Sequence, residues 1–430
     1  MRRGLRYPDE VTILRPSNDS TPEAEPGGHE RPGSITAALH HQPFRRIWIG
    51  QLASNVGTWM QNIVLGILAF QLTGEAWFIG VVTFAQLGPM LVVSPIGGAI
   101  ADRFDRRRVL IGAAAIQVAL SLALAAVALD ETPSKALIVL IVAGIGICAS
   151  IYTPALSAML PTLVGRRDLQ GAVALNSAAM NISRVVGPIL GGAIAQLGGV
   201  PLVFTINAAS YLVAVWAIAT VDVDFSPKGH HGQSPWEQLR EGFRIAAHDP
   251  VLKRVLLTIS TFSLCSLVFI YQMPLIVERH LDVSEFTYTL LFATFAIGAA
   301  LGAIAMGSWL VGVNRWATTR VALVAFAVGL TVFTLATELP AAFIGVFIAG
   351  ATYFALVTAL STILQLQVDD HVRGRVMGLW MMGWAGLVPL GGLIAGPAID
   401  AVGINPVLLA GAAVALVLAA VLREPAGARA

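Results

Sequence analysis

One arginine stands inside a long segment of small and apolar residues in this 430-residue chain. Arg184 lies between Asn181-Ile182-Ser183 and Val185-Val186-Gly187-Pro188. If the segment crosses a membrane, an ionised side chain there costs at least about 2.5–3.5 kcal/mol, so it is expected to face a protein interior or an aqueous cavity. We predict that Arg184 binds an anionic group of a ligand or a carboxylate. The alternative is a structural role, in which it donates hydrogen bonds to backbone carbonyls freed near Pro188.

The chain has no residue pattern typical of catalysis or metal binding. The two cysteines, Cys148 and Cys265, lie far apart in apolar segments, and there is no His-Glu-x-x-His sequence and no Gly-x-x-x-x-Gly-Lys-Ser/Thr phosphate loop. We therefore predict that the protein is not an enzyme, and we expect no metal and no cofactor. No acidic residue stands clearly at the centre of an apolar segment, and those that could carry a proton lie nearer the ends: Asp102, Glu278, Asp369, Asp370 and Asp400.

Polar side chains recur at helical spacing in two of the apolar segments. The first set is Gln51, Asn55, Thr58 and Asn62, and the second is Ser177, Asn181 and Arg184. Residues at these spacings share one face of a helix. With nearby aromatic residues they predict a mostly apolar cavity with one positive charge, suited to an amphipathic neutral or anionic organic molecule. The residues assigned to ligand binding are Arg184, Gln51, Asn55, Asn62, Asn181, Trp59 and Tyr353, and ordinary helix packing is the alternative for each.

The composition indicates a protein built from membrane-spanning helices. Hydrophobic residues make up 56% of the chain and charged residues 12%, against about 25% charged residues in soluble domains. A net charge of +2 without a basic stripe also argues against a nucleic-acid partner. Apolar runs longer than about 18 residues predict spanning helices. We predict twelve, with limits near 45–72, 76–101, 107–129, 135–164, 170–197, 200–221, 251–279, 285–311, 317–337, 340–367, 373–401 and 404–422.

Basic residues alternate between the loops of this predicted topology. Of the 27 Lys and Arg, 24 fall in the two terminal segments, in every second loop or at the span ends that adjoin them, whereas the other loops and their adjoining span ends hold only Lys135 and Arg279. Cytoplasmic loops retain Lys and Arg. We therefore predict a multi-pass protein of the inner (cytoplasmic) cell membrane with both termini in the cytoplasm.

Polar segments divide the chain into parts. Residues without periodicity at the start predict a disordered cytoplasmic tail, and a second short tail follows the last span. The predicted parts are a tail over 1–38, a six-helix bundle over 39–221, a cytoplasmic linker over 222–250, a second six-helix bundle over 251–422 and a tail over 423–430.

The linker contains an amphipathic pattern. Trp236, Leu239, Phe243 and Ala246 recur at helical spacing, with charged residues between them. This pattern is typical of a helix lying at a membrane face. A helix that only braces the two bundles is the alternative.

The two bundles resemble each other weakly in sequence. Pro188-Ile-Leu-Gly191-Gly192 in the fifth predicted helix corresponds to Pro389-Leu-Gly391-Gly392 in the eleventh. The shared order predicts an all-α membrane protein of two pseudo-symmetric six-helix halves. Parallel repeats of this kind place a substrate between the halves near the bilayer midplane and imply alternating access.

The loop after the second predicted helix reads Gly98-Ala-Ile-Ala-Asp102-Arg103-Phe-Asp105-Arg106-Arg107-Arg108. It resembles the signature G-x-L-A-D-R-x-G-R-R of the major facilitator superfamily, although Asp105 replaces the second glycine and an isoleucine replaces the leucine. The resemblance implies a cytoplasmic latch between the halves, in which the motif's aspartate lies near the N-terminus of the eleventh helix. The residues implied are Gly98, Asp102, Arg103, Arg106 and Arg107, and a positive-inside anchor is the alternative.

A second motif surrounds Arg184. The sequence Ser183-Arg-Val-Val-Gly187-Pro188-Ile-Leu-Gly191-Gly192 resembles the antiporter signature G-x-x-x-G-P-x-x-G-G of drug-efflux members, with Ser183 in place of the leading glycine. Gly187 and Gly191 form a small-xxx-small stripe that lets a neighbouring helix approach closely. The resemblance assigns Gly187, Pro188, Gly191 and Gly192 to an antiporter-like motif, and packing alone is the alternative.

Further phrases place the resemblance in a bacterial branch of the superfamily that contains macrolide efflux proteins and enterobactin exporters. They are Gln51-Leu-Ala-Ser-Asn55-Val-Gly-Thr-Trp59 and Leu239-Arg-Glu-Gly242-Phe-Arg. The resemblance implies a secondary active exporter of a small molecule, using protons as the coupling ion in antiport and acting as a monomer in the lipid bilayer. An importer or facilitator of the same fold and a non-transporting membrane receptor or scaffold are the alternatives.

Overall fold

The computed structural model describes residues 34–223, 235–280, 284–308 and 313–425, and their regular secondary structure is helical. In this part of the chain, eleven helices are long and apolar enough to cross a membrane. One of them, Arg167–Ala219, has 53 residues, more than twice what the hydrocarbon core of a bilayer, about 30 Å thick, requires. Its backbone is not helical at Gly199, where φ is 75° and ψ is 174°. Division at Gly199 gives twelve spans.

The spans are named α1 to α12 in chain order, and each agrees with its predicted limits to within three residues. Their bounds are Gln42–Thr73 (α1), Ala76–Leu87 with Pro89–Arg103 (α2), Arg106–Val127 (α3), Lys135–Gly165 (α4), 167–198 (α5), 200–219 (α6), Pro250–Cys265 with Val268–His280 (α7), Glu285–Ser308 (α8), Arg315–Leu335 (α9), Leu339–Gln367 (α10), Asp370–Met381 with Met382–Gly386 and Leu387–Val402 (α11), and Ile404–Val421 (α12).

Glycines with a positive φ turn the chain between consecutive spans. Gly165, with φ 71° and ψ 172°, separates α4 from α5, and Gly199 separates α5 from α6. Side chains with a Cβ rarely adopt this conformation, whereas glycine does so without steric cost. These two residues therefore reverse the chain within turns of only a few residues.

The predicted tails and linker fall partly outside the described residues. Residues 1–33, 224–234 and 426–430 lie outside them. A short helix, Ile35–His40, begins within the predicted disordered tail. The prediction of disorder is therefore wrong for residues 35–38. Ser34 caps this helix by accepting a hydrogen bond from the Ala37 N–H at 3.1 Å.

The predicted amphipathic helix is present as Pro235–His248 and is called the linker helix. Its Gly242 lies against the backbone of Arg375 in α11, and Glu241 forms an ion pair with Arg375 at 3.1 Å. Trp236 is 77% exposed and Phe243 55% exposed. The linker helix thus packs on α11 as a brace would, and contact of its two aromatic residues with the membrane stays a prediction.

The apolar core joins the two halves at one side of the protein only. With twelve spans, the start of α1 and the end of α12 lie on one side, called the terminal side, and the opposite side is called the far side. One core cluster contains the C-terminal half together with far-side residues of the N-terminal half, such as Met60, Phe78 and Phe204. The terminal-side residues of the N-terminal half, such as Phe44, Leu110 and Met159, form a separate cluster.

The contacts of α11 with the N-terminal half likewise decrease from the far side to the terminal side. A Cβ at Gly396 would lie 2.6 Å from the Trp77 Cα of α2, and Gly386 lies against the Leu91 side chain of α2. Nearer the terminal side, a Cβ at Gly378 or Gly374 would have no heavy atom within 4 Å. The halves are therefore closed against each other on the far side and separate toward the terminal side.

Candidate functional site

Arg184 lies in the middle of α5 and reaches across the interface between the halves. Its guanidinium carbon is 5.2 Å from the ring centroid of Trp59 in α1 and 5.1 Å from that of Phe354 in α10. Trp59 belongs to the same half as Arg184, whereas Phe354 belongs to the other half. The cation is thus held between aromatic rings contributed by both halves.

This guanidinium has no anionic partner within the part of the chain that the structure describes. No ion pair or hydrogen bond involves it there, so the predicted alternative of hydrogen bonds to carbonyls near Pro188 is not observed. A cation–π contact contributes roughly 0.5–2 kcal/mol, and two such contacts offset part of the cost of the membrane position. The N–H groups of the guanidinium remain available to oxygen atoms of a ligand.

An aromatic wall continues from this pair across the C-terminal half. Trp384 of α11 donates its indole N–H to the Tyr353 hydroxyl of α10 at 2.7 Å, and Tyr353 packs against Phe354 with centroids 4.8 Å apart. Trp384 lies in the π-helical segment Met382–Gly386. Such a segment locally changes the helical register and is frequent at functional sites. Tyr271 of α7 is also near enough to Arg184 to interact with it electrostatically.

The glycines around Arg184 explain how α1 comes so near. A Cβ at Gly187 would lie 2.5 Å from the Trp59 Cβ, and one at Gly191 would lie 2.9 Å from the Met60 Cα. The small-xxx-small stripe therefore packs against α1, as close helix approach requires. Gly192 faces the other half, where a Cβ would lie 2.5 Å from the Thr289 side chain of α8. Pro188 is buried beside them and has no N–H for the Arg184 carbonyl.

The predicted polar residues of α1 bond mainly to other side chains of the N-terminal half. Gln51 donates to the Asn55 side chain at 2.9 Å and accepts from the Tyr152 hydroxyl of α4 at 2.8 Å. Asn62 accepts a hydrogen bond from Gln86 of α2. The hydrogen bonds of these amides do not converge on Arg184.

Other polar residues of the two predicted helix faces also form hydrogen bonds away from Arg184. Asn181 donates to the Ser177 carbonyl of its own helix at 3.0 Å. The Thr58 hydroxyl bonds to the Tyr211 hydroxyl of α6 at 3.0 Å, on the side of α1 that faces its own bundle. Sequence reasoning missed Gln61, which is buried and accepts hydrogen bonds from Ser121 and Asn207.

The predicted latch is described only in part. Gly98 and Asp102 lie near the end of Pro89–Arg103, and the contacts of both lie outside what the structure describes. Arg106 donates to the Ala158 carbonyl at 3.0 Å, and Arg107 donates to the Ala219 carbonyl, both in the same half. Arg103 is exposed. Because the halves are apart on this side, the latch stays a prediction for another conformation.

In the described residues, twelve helices long enough to span a membrane form two halves with a cation between them, which is the architecture of a membrane transporter. A family model described as "Transmembrane secretion effector" matches residues 33–426. The chain therefore belongs to this family of the major facilitator superfamily. Members are transporters, which confirms the prediction that the protein is not an enzyme.

Known relatives are similar over most of the chain. It is 26% identical over 345 residues to the enterobactin exporter EntS of Citrobacter koseri, covering 79% of this chain and 81% of the relative. It is also 26% identical over 349 residues to EntS of Salmonella typhimurium, with the same coverage. The predicted resemblance to this branch is confirmed.

Solved structures confirm the predicted fold. A nucleoside transporter, NupG, superimposes with a TM-score of 0.72 at 15% identity, covering 88% of this chain and 98% of NupG. A bacterial homologue of the human lysosomal transporter Spinster, in an inward-facing and unoccupied conformation, gives a TM-score of 0.68 at 17% identity, covering 88% of this chain and 96% of the homologue.

Proposed function

We propose that this protein exports a small amphipathic organic molecule, neutral or anionic, from the cytoplasm by alternating access. The observation that carries the proposal is Arg184, a cation in the middle of a membrane helix, which has aromatic partners from both halves and no carboxylate partner in the described chain. An anionic oxygen would accept charge-assisted hydrogen bonds from its guanidinium. The surrounding rings would hold the apolar part of the same molecule.

The charge distribution and the relatives support the proposed direction of transport. The terminal side carries nearly all Lys and Arg outside the spans and is, on our proposal, cytoplasmic. The open space between the halves then faces the cytoplasm, where an exporter collects its substrate. The similar EntS proteins are named as exporters of enterobactin, which supports export of an organic molecule here.

We propose that the protein acts as a monomer in the inner membrane. Transport would be driven by the proton gradient, through antiport of protons. The described part of the chain has no carboxylate paired with Arg184. A proton site would therefore act from the ends of the spans, where Asp102, Glu278, Asp369, Asp370 and Asp400 lie, rather than by direct competition at Arg184. Protonation at a helix end can still change the balance between conformations, because a charge there interacts with the helix dipole.

The test is uptake into everted membrane vesicles that contain the overexpressed protein. Dyes, macrolides and siderophore-like aromatic anions are offered with and without a protonophore, for the wild type, Arg184→Ala and Arg184→Lys. We expect uptake of an anionic or neutral compound that the protonophore abolishes. Arg184→Ala should lose uptake of anions, and Arg184→Lys should retain part of it because the charge remains while the planar donor set is lost.

Arg320→Ala is the matched control. Arg320 also lies in a membrane helix, α9, but it donates to the Ala419 carbonyl of α12 at 3.1 Å, within the C-terminal half and away from the interface. Its removal should leave the substrate preference unchanged. Uptake that survives the protonophore would exclude proton antiport, accumulation in right-side-out vesicles would indicate an importer, and unchanged anion uptake in Arg184→Ala would exclude the proposed site.

A further inference from the structure

The far-side end of α2 lacks a cap from its own sequence. Glu75 stands at the N-cap position of Ala76–Leu87, but its side chain makes no capping hydrogen bond. The first N–H groups of a helix have no partner inside that helix. In α2 the missing acceptor comes from a residue more than 300 positions away in the chain.

Asp400, in the last turn of α11, supplies this acceptor from the other half of the protein. Its Oδ1 accepts the Ala76 N–H and its Oδ2 accepts the Trp77 N–H, both at 2.9 Å. A carboxylate at a helix N-terminus is favoured both by hydrogen bonding and by the helix dipole. Both oxygens of one side chain are thus engaged with the backbone of the opposite half.

The seam around this contact is tightly packed. Gly396 and Gly392 precede Asp400 by one and two turns, and a Cβ at Gly80 of α2 would lie 2.5 Å from the Gly392 carbonyl oxygen. Gln272 of α7, which is fully buried, donates to the Ala76 carbonyl at 3.1 Å. The first residues of α2 therefore form hydrogen bonds with two helices of the C-terminal half, α7 and α11.

We propose that Asp400 is a positioning residue of the transport cycle, which holds the far side closed while the terminal side is open. When the far side opens, α2 must leave α11, and the two N–H groups of Ala76 and Trp77 lose their carboxylate. The contact is available in only one of the two conformations, so it changes their ratio. This inference needs no knowledge of the substrate, and its test is independent of the proposed export.

The test measures alkylation at a single reporter cysteine in purified protein reconstituted in nanodiscs. Gly378→Cys, in a background with Cys148→Ala and Cys265→Ala, places the thiol where the terminal side is open. Asp400→Asn keeps the size of the side chain and removes its charge. We expect about a tenfold change in the conformer ratio toward the closed terminal side, seen as slower alkylation. Local unfolding would instead accelerate alkylation, so the sign separates a gating effect from damage.

Two further variants make the experiment decisive. Glu338→Gln removes an exposed charge from the same side, at an N-cap position without a side-chain hydrogen bond, and should leave alkylation unchanged. Ala76→Pro replaces one of the two N–H groups by a ring carbon that points at the Asp400 carboxylate, so it breaks this contact, although the backbone of a first-turn position after the extended Glu75 accepts proline. It should slow alkylation, with less than additive effect when combined with Asp400→Asn.

The alkylation rates of these variants either support or overturn the proposal. Slower alkylation in Asp400→Asn and Ala76→Pro, recovery in Asp400→Glu and no change in Glu338→Gln support the proposal. Equal rates in Asp400→Asn and the unmutated reporter overturn it, as does equal slowing by Glu338→Gln. If Asp400→Asn does not elute as a folded monodisperse protein, Ala76→Pro tests the same hydrogen bond from the opposite half.

Discussion

Gly187 controls how near α1 lies to Arg184, and Gly187→Ala should disturb both stability and ligand binding. The added methyl carbon would lie 2.5 Å from the Trp59 Cβ and 3.0 Å from the Val56 carbonyl oxygen. Carbon atoms in favourable contact are about 3.5–4.0 Å apart. Helix α1 must therefore move away by about 1 Å, because atoms at the root of a side chain and in a backbone cannot rotate aside.

The cost of this displacement can be bounded. Overpacking of a close helix contact costs about 1–3 kcal/mol, whereas replacing glycine by alanine inside a helix returns about 1 kcal/mol. The net result is a loss of up to about 2 kcal/mol. Trp59 moves with α1, so the cation–π contact with Arg184 also weakens, and the KM for an anionic substrate should rise more than that for a neutral one.

Gly112→Ala provides the matched control for this prediction. Gly112 lies in α3, and a Cβ there would have no heavy atom within 4 Å. It should therefore leave the protein equally stable or slightly more stable, without changing KM. The assay combines thermal unfolding in detergent, followed by circular dichroism, with uptake into everted vesicles. Equal unfolding midpoints and equal KM values for the two variants would refute the proposed role of the glycine contact.

Three further predictions concern the turns, the aromatic wall and the linker helix. Gly199→Ala places a Cβ at φ 75° and should cost about 1–3 kcal/mol, measured as a lower midpoint of thermal unfolding. Trp384→Phe removes the 2.7 Å hydrogen bond to Tyr353 and should cost about 0.5–1.5 kcal/mol while raising KM; unchanged values would contradict a positioning role. Glu241→Gln breaks the partly exposed pair with Arg375 and should cost less than about 1 kcal/mol, with a difference from wild type that disappears at high salt.

The sequence was sufficient to predict the spanning helices and their limits because long apolar runs and loop charges that alternate in this way are typical of membrane-spanning helices alone. It also predicted that Arg184 faces a protein interior or a cavity, since a cation in a membrane segment is costly. It did not identify Phe354 as a partner of Arg184. The two residues lie in different halves of the chain, and one aromatic residue among several in α10 carries no local signal of such a contact.

The polar face predicted for α1 shows why helical spacing alone is insufficient for a site. Gln51, Thr58 and Asn62 bond to α4, α6 and α2 respectively. A central helix has neighbours on several sides, so residues within one broad face meet different partners. Gln61 lies outside the predicted set although it is the most completely buried amide of α1, at 1% exposed.

Asp400 shows why a cap contributed from the other half is not predictable from the sequence. A carboxylate near a helix end suggests a capping role, but sequence rules look for the capped helix beside it. Here the capped helix is α2, which only the tertiary structure brings to Asp400. The π-helical segment Met382–Gly386 likewise has no sequence signal that we recognise.

The placement of Arg184 between two rings has a consequence for slippage, the idle return of an empty transporter. Trp59 travels with Arg184, whereas Phe354 belongs to the opposite half. Rotation of the halves as rigid bodies would withdraw Phe354 and forfeit roughly 0.5–2 kcal/mol of cation–π attraction in the empty protein. A bound anion supplies new partners for the same guanidinium and compensates for this loss. The arginine would thereby couple the change of conformation to the presence of a bound substrate.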